Sequence, residues 1–196
     1  VRHIGEAVAG VAAINEDIAE EATQLIKVDY EELPGVFDAE EAMKDGAPQV
    51  DENVKNNICA EYHWNFGDVD KGFNESYLVR EDRFETAHIS AGYLEPPSVL
   101  AYWDPCGYLT MWAAKQSPYY LYSAMAECFK LPYSRVRVIQ PFIGGGFGPS
   151  KNMPLSLDFC AALLSKKTGK PVKFVYSQEE GLATTRRRYN MIMDIK

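Results

Sequence analysis

The stretch Ile139-Gln140-Pro141-Phe142-Ile143-Gly144-Gly145-Gly146-Phe147-Gly148-Pro149-Ser150-Lys151-Asn152 places four of the chain's fourteen glycines within five residues. A loop this dense in glycine lets backbone approach a ligand or another side chain where a Cβ would intrude. Upstream, Arg135 to Ile139 alternates polar and apolar residues as a strand does, and downstream Pro154 to Thr168 has the length and apolar content of a buried helix. The loop is therefore expected to join a strand to a helix N-terminus, where unpaired N–H groups and the positive end of the helix dipole favour an anion.

Familiar phosphate motifs do not account for it. A Walker loop needs G-x-x-x-x-G-K-[ST], but the sixth position counted from Gly144 is Pro149, and Ser150-Lys151 stand in the wrong order. A dinucleotide fingerprint G-x-G-x-x-G fits Gly144 and Gly146 and then meets Pro149 in place of the glycine that permits close helix packing. A tight glycine turn with no ligand stays open beside these readings.

Several segments in order add a resemblance. Ile143-Gly144-Gly145-Gly146-Phe147-Gly148, preceded by Ala113-Ala114-Lys115-Gln116-Ser117-Pro118 and followed by Lys167-Thr168-Gly169-Lys170-Pro171-Val172-Lys173, resembles the large molybdopterin-binding subunit of the xanthine dehydrogenase and aldehyde oxidase family. Val1 to Ala9 and Val28-Asp29-Tyr30-Glu31-Glu32-Leu33-Pro34 extend the resemblance through nearly the whole chain. It implies an α+β fold: the end of an α/β hammerhead domain at residues 1–45, a linker at 46–62, and at 63–196 the first part of a molybdopterin-binding domain with a mixed sheet and helices.

The resemblance also implies a chemistry. A molybdenum–pterin cofactor, with the dinucleotide form left open, oxidises an aldehyde, N-heterocycle or aromatic substrate using oxygen from water, and electrons leave through iron–sulfur clusters and FAD carried by partner domains or subunits. Cofactor-binding residues implied by position are Gln116, Gly145, Gly146, Phe147 and Gly148, with Gln116 and Phe147 near the molybdenum without ligating it. An amide can donate to a metal oxo group without adding charge, and Phe147 would exclude water or else anchor the loop in the core. Glu95, in Tyr93-Leu94-Glu95-Pro96, matches an acidic residue near the family's cofactor region, or is simply a loop carboxylate.

Two departures shape the expectation. The family commonly continues G-G-G-F-G-G-K-E, whereas this chain has Pro149-Ser150-Lys151, so a cation stands where purine-oxidising members contact substrate through glutamate. Lys151 would suit a carboxylated or CoA-linked substrate instead. The family's general-base glutamate has no counterpart here, so no catalytic residue is assigned, and the chain is expected to be an inactive fragment of the enzyme, prone to self-association. Two other readings stay open: a non-catalytic interaction module of the same fold, and an unrelated nucleotide-binding enzyme using Gly144–Gly148.

Charge and composition narrow the partners. Residues 1 to 62 carry fifteen acids and four bases, and residues 63 to 196 carry thirteen and sixteen, giving the net charge of −8. That acidity opposes nucleic-acid binding. No apolar run is long enough for a membrane helix and no signal-peptide pattern opens the chain, although in a chain read as a fragment a missing signal means little; a cytoplasmic protein is the expectation. Cys59, Cys106, Cys128 and Cys160 lack metal-binding spacing and read as free thiols, with Cys128 and Cys160 on buried helical faces.

In chain order, Ala7 to Ile14 reads as a buried strand, Asn15 as the cap of a helix whose apolar face holds Ile18, Ala22, Leu25 and Ile26, and Ile26 to Glu31 as a second strand. Phe37 to Asn57 reads as irregular, and Gly67-Asp68 as the start of a short helix through Glu75. Lone His63 reads as structural rather than as a metal ligand. Tyr77 to Ile89 and Val99 to Trp103 read as strands, the latter turning at Asp104-Pro105-Cys106-Gly107 into Tyr108 to Trp112. Ser117-Pro118 should start a helix with Leu121, Met125, Cys128 and Phe129 buried, which puts Gln116 at a strand–helix junction. Ser177-Gln178-Glu179-Glu180 is a capping box, Arg186-Arg187-Arg188 a solvated run, and Met191 to Lys196 a final strand.

Overall fold

The computed structural model describes residues 1–196, with side chains for all of them except Pro149 and Ser150. Among the described residues the elements are α1 (Glu16–Gln24), α2 (Ala39–Ala42), α3 (Val69–Glu75), β1 (Asp82–Glu85), β2 (Ser98–Trp103), β3 (Leu109–Ala113), α4 (Pro118–Cys128), β4 (Val136–Ile139), α5 (Pro149–Asn152), α6 (Ser156–Thr168), β5 (Val172–Val175), α7 (Gln178–Thr184) and β6 (Ile192–Ile195). They form two compact units that interleave in sequence, one of Val1, His3–Lys27 and Thr86–Asn190, the other of Arg2, Val28–Glu85 and Met191–Lys196.

The larger unit is built on a mixed sheet in the order β4-β3-β2-β5. The turn at Asp104 to Gly107, with Gly107 at φ 83°, folds β2 back on β3 in an antiparallel hairpin that pairs Trp103 with Leu109 and Val99 with Ala113. Strand alternation sets the core: Val99, Ala101 and Trp103 of β2 and Leu109, Met111 and Ala113 of β3 are buried, joined by Leu121 and Met125 of α4 and Leu157, Ala161 and Ala162 of α6. Trp103 closes the layer, its indole N–H donating to the Ala162 carbonyl at 2.8 Å and its ring meeting Phe129 edge-on. β3 and β4 run parallel with α4 as the crossover, which brings the loops that follow both strands to the same end of the sheet.

The smaller unit has the antiparallel pair β1–β6, laced by Arg83 to Glu40 at 2.6 Å and to Asp194 at 3.1 Å. Ala42 is its one buried hydrophobic side chain among the described residues, and its ion pairs, screened by solvent, add little to stability. α3 starts as expected, with the Asp68 carboxylate accepting from the Lys71 N–H.

Several expectations need correction. Of the strand, helix, strand reading near the N-terminus only the helix forms: Asn15 caps α1 by accepting from the Ile18 N–H at 2.9 Å. Residues 7–14 and 26–31 join no strand ladder, because apolar alternation makes a strand only where another strand supplies hydrogen bonds. The apolar face of α1 is correspondingly uncovered, with no buried residue. The strand expected over 77–89 shrinks to β1 for the same reason, limited by the four residues of β6 that pair with it. Cys128 is exposed, since α4 turns Leu121, Met125 and Ala126 toward the sheet instead, and Cys160 of α6 is half-buried. α4 begins at Pro118, yet the Ser117 hydroxyl makes no capping bond.

Candidate functional site

Three loops meet at the end of the sheet where β3 and β4 finish and the antiparallel β2 begins. Glu95 lies before β2, Lys115 and Gln116 follow β3, and the glycine loop follows β4. The four-residue α5 comes directly after this loop, and the long helix α6 starts only at Ser156, later than the sequence suggests, because Asp158 accepts from the Leu155 N–H at 2.7 Å and fixes the helix start there.

Within the loop each glycine has its own reason. A Cβ on Gly146 would lie 2.6 Å from Gln116 Oε1, and one on Gly144 would lie 3.1 Å from both Cβ and Oε2 of Glu95. The close approach these glycines permit is therefore to the protein's own side chains. Gly145 and Gly148 adopt φ of 102° and 85°, where an L side chain is strained, and the missing Cβ of Gly148 faces open space. Phe147 takes φ 51° although it is a bulky aromatic, a backbone conformation costing on the order of 1–3 kcal/mol, and its side chain is 68% exposed. The alternative of a core aromatic anchoring the loop does not hold, because its ring projects outward.

Gln116 is fixed from two directions. Its Oε1 accepts from the Gly148 N–H at 2.8 Å and its own N–H donates to the Lys151 carbonyl at 3.0 Å. The Nε2 donor has no partner among the described residues, and the residue is exposed. So all five residues named from sequence, Gln116, Gly145, Gly146, Phe147 and Gly148, come together at this one end of the sheet. Two loop N–H groups, those of Gly144 and Gly148, are spent on Glu95 and Gln116 rather than left for an anion.

Lys151 departs from expectation. Its side chain is 1% exposed and its Nζ donates to Glu95 Oε2 at 2.5 Å, so this ammonium is not presented to a carboxylated substrate. Behind it lies a second pair that sequence reasoning missed: Lys115 Nζ to Asp158 Oδ2 at 2.6 Å, with side chains 3% and 1% exposed. Burial pushes the Asp158 carboxyl above the usual carboxylate range, against the attraction of Lys115, and its Oδ1 has no hydrogen-bond partner among the described residues. The sequence carried one clue, an acid at the third position of an apolar helix with a lysine beside the glutamine. Among the described residues no group of three or more His, Cys, Asp or Glu could hold a metal ion directly, and His63 meets only Glu61.

Residues 50–196 match the molybdopterin cofactor-binding domain family, and the chain belongs to it. It is 38% identical over its whole length to the nicotinate dehydrogenase large molybdopterin subunit of Eubacterium barkeri, covering 45% of that protein. Over 99% of the chain it is 31% identical to the xanthine dehydrogenase molybdenum-binding subunit of Escherichia coli O157:H7, covering 25% of it. Among solved structures, CO dehydrogenase from Oligotropha carboxidovorans superposes with a TM-score of 0.77 at 32% identity, over 87% of this chain and 23% of that one. The chain thus spans less than half the length of the relatives it matches. Family membership removes the reading of an unrelated nucleotide-binding enzyme, and the α+β fold with a mixed sheet is as expected. Among the described residues no helix is long and apolar enough to cross a membrane.

The residues fit a pterin-bound metal approached through neutral groups. Gln116 offers a fixed amide donor without charge, and Gly148 offers bare backbone beside open space.

Proposed function

We propose that this chain forms part of the cofactor-binding region of a molybdenum-dependent hydroxylase or dehydrogenase acting on a small aldehyde, N-heterocycle or aromatic compound. The nicotinate dehydrogenase relative favours an N-heterocycle. The observation that carries the reading is the held amide of the exposed Gln116, whose Oε1 is occupied by Gly148 and whose Nε2 has no partner among the described residues.

When bound, the molybdenum–pterin group supplies the two-electron oxidation of substrate with oxygen drawn from water. The chain's own contribution would be positional: Gln116 would offer its amide N–H as an uncharged donor to the bound group, Gly145, Gly146 and Gly148 would keep backbone bare beside it, and Phe147 would cover the site against water. Iron–sulfur and flavin domains or subunits of the complete protein would accept the electrons, and we assign the protein to the cytoplasm. We divide the chain into the end of a hammerhead domain at 1–45, a linker at 46–62 and the first part of the cofactor domain from 63; the family match, residues 50–196, covers the last of these and most of the linker.

The test is metal and pterin analysis of the complete subunit purified with its partners, together with Gln116→Ala. Stoichiometric molybdenum and pterin are expected, and the variant should stay folded while losing about 10- to 100-fold in turnover, as loss of an outer-shell partner typically does. A complete subunit that carries neither molybdenum nor pterin refutes the reading.

A further inference from the structure

The two side chains that hold the glycine loop are themselves joined through one residue. Glu95 Oε2 accepts from the Gly144 N–H at the start of the loop and from Lys151 Nζ at 2.5 Å. Gln116 Oε1 accepts from the Gly148 N–H at the loop's end, and the Gln116 N–H donates to the Lys151 carbonyl at 3.0 Å. Gly144, Glu95, Lys151, Gln116 and Gly148 are thus linked by a chain of hydrogen bonds that the backbone of residues 144–148 closes into a ring, with Lys151 reaching one side through its ammonium and the other through its backbone. The Asn152 N–H, donating to the Gly148 carbonyl at 3.1 Å, fastens the turn beside it.

From this we infer that Lys151 and Glu95 are positioning residues that clamp the glycine loop and, through it, set the aim of the Gln116 amide. The inference rests on the cofactor-site reading above. Its physical basis is burial and charge. A lysine 1% exposed is retained in such a place only if its charge is met, and Glu95 meets it while using the same oxygen to hold the loop. A bond between charged partners is roughly twice as strong as a neutral one, so it can hold a loop that glycine leaves otherwise soft. The glycine at 144 is the matching adaptation, since the Glu95 side chain occupies the space a Cβ would need. The cation at 151 therefore acts inside the protein, and the substrate is recognised by other groups.

The experiment compares Lys151→Met, Glu95→Gln and the double variant in the complete subunit, by amide hydrogen exchange over residues 140–152 and by steady-state kinetics. Each single variant should speed exchange at the loop amides by about tenfold while β2 and β3 keep their protection. The double variant should do no more than the stronger single, because the two residues act as a unit. In the loaded enzyme kcat should fall with KM nearly unchanged, as expected when a group is mis-aimed while substrate binding is preserved. Should Lys151→Met not fold, Glu95→Gln, which keeps the volume and loses only the charge, carries the same expectation. Loop exchange unaltered in a folded variant, or single effects that multiply in the double, overturns the clamp. A subunit without molybdenum would remove the cofactor reading, and the exchange data would still decide the clamp separately.

Discussion

Replacing Lys115 by Met should be the most damaging single change at this end of the sheet, and the damage should depend on pH. The Lys115–Asp158 pair is 2.6 Å long with both side chains within 3% of complete burial. At that separation and an effective dielectric of about 20, the attraction is about 6 kcal/mol before desolvation is charged against it. Breaking a buried pair from one side costs about 3–5 kcal/mol, because the charge left behind has no compensation. Asp158 is poorly placed to bear this, since its Oδ1 already lacks a partner among the described residues. Its escape is to take up a proton. Burial already raises its pKa against the pull of Lys115, and removing the lysine raises it further. The folded state then holds the proton more tightly than the unfolded chain, so the site's contribution is retained below the unfolded pKa of about 3.9 and lost as pH rises through the folded value. The Lys115→Met penalty should accordingly be small near pH 4.5 and grow toward pH 7.5, by at most about 1.4 kcal/mol per pH unit. Lys115→Met/Asp158→Asn should recover most of the loss, because Asn keeps an acceptor for the Leu155 N–H without a charge. Urea unfolding followed by the fluorescence of Trp103, which bonds to the same helix α6, reads all of these. A penalty independent of pH, or a double variant as unstable as the single, would refute the argument.

Two further outcomes can be checked by the same unfolding measurement and by metal analysis. Gly146→Ala puts a methyl 2.6 Å from Gln116 Oε1 and should cost about 1–3 kcal/mol, or else displace the glutamine and lower the molybdenum content of the complete subunit; wild-type values for both would show that the crowding is relieved freely. Tyr93→Phe removes a buried hydroxyl that donates to the Gly181 carbonyl at 2.8 Å and lies 2.9 Å from Thr185 Oγ1, with an expected loss of about 1 kcal/mol; the thermal midpoint should fall, and an unchanged midpoint would mean that the remaining Thr185 to Gly181 bond suffices.

Local signals in the sequence determined the elements that depend on local chemistry. Asn15, Asp68 and the Ser177–Glu180 box mark helix starts because a capping side chain bonds to N–H groups two or three residues away. The β2–β3 hairpin was legible because Gly107 supplies the left-handed turn and the alternation of β2 matches a half-covered strand. The glycine loop and Gln116 stood out for the same reason, glycine density and a strand–helix junction both being features of neighbouring residues.

Only the tertiary structure decided what those glycines are for and which charges pair. Glu95, Gln116 and Lys151 lie far apart in sequence and meet because the parallel β3 and β4 and the antiparallel β2 deliver their loops to one sheet end. Lys151 looked like a cation awaiting a ligand, yet burial against Glu95 gives it an internal partner. Residues 7–14 show the converse: their composition suits a strand, but a strand is a relation between two segments, and none of the described residues pairs with them. Sequence specifies what each residue can bond to; burial and long-range pairing, which follow from the packing of distant elements, select the bonds that form.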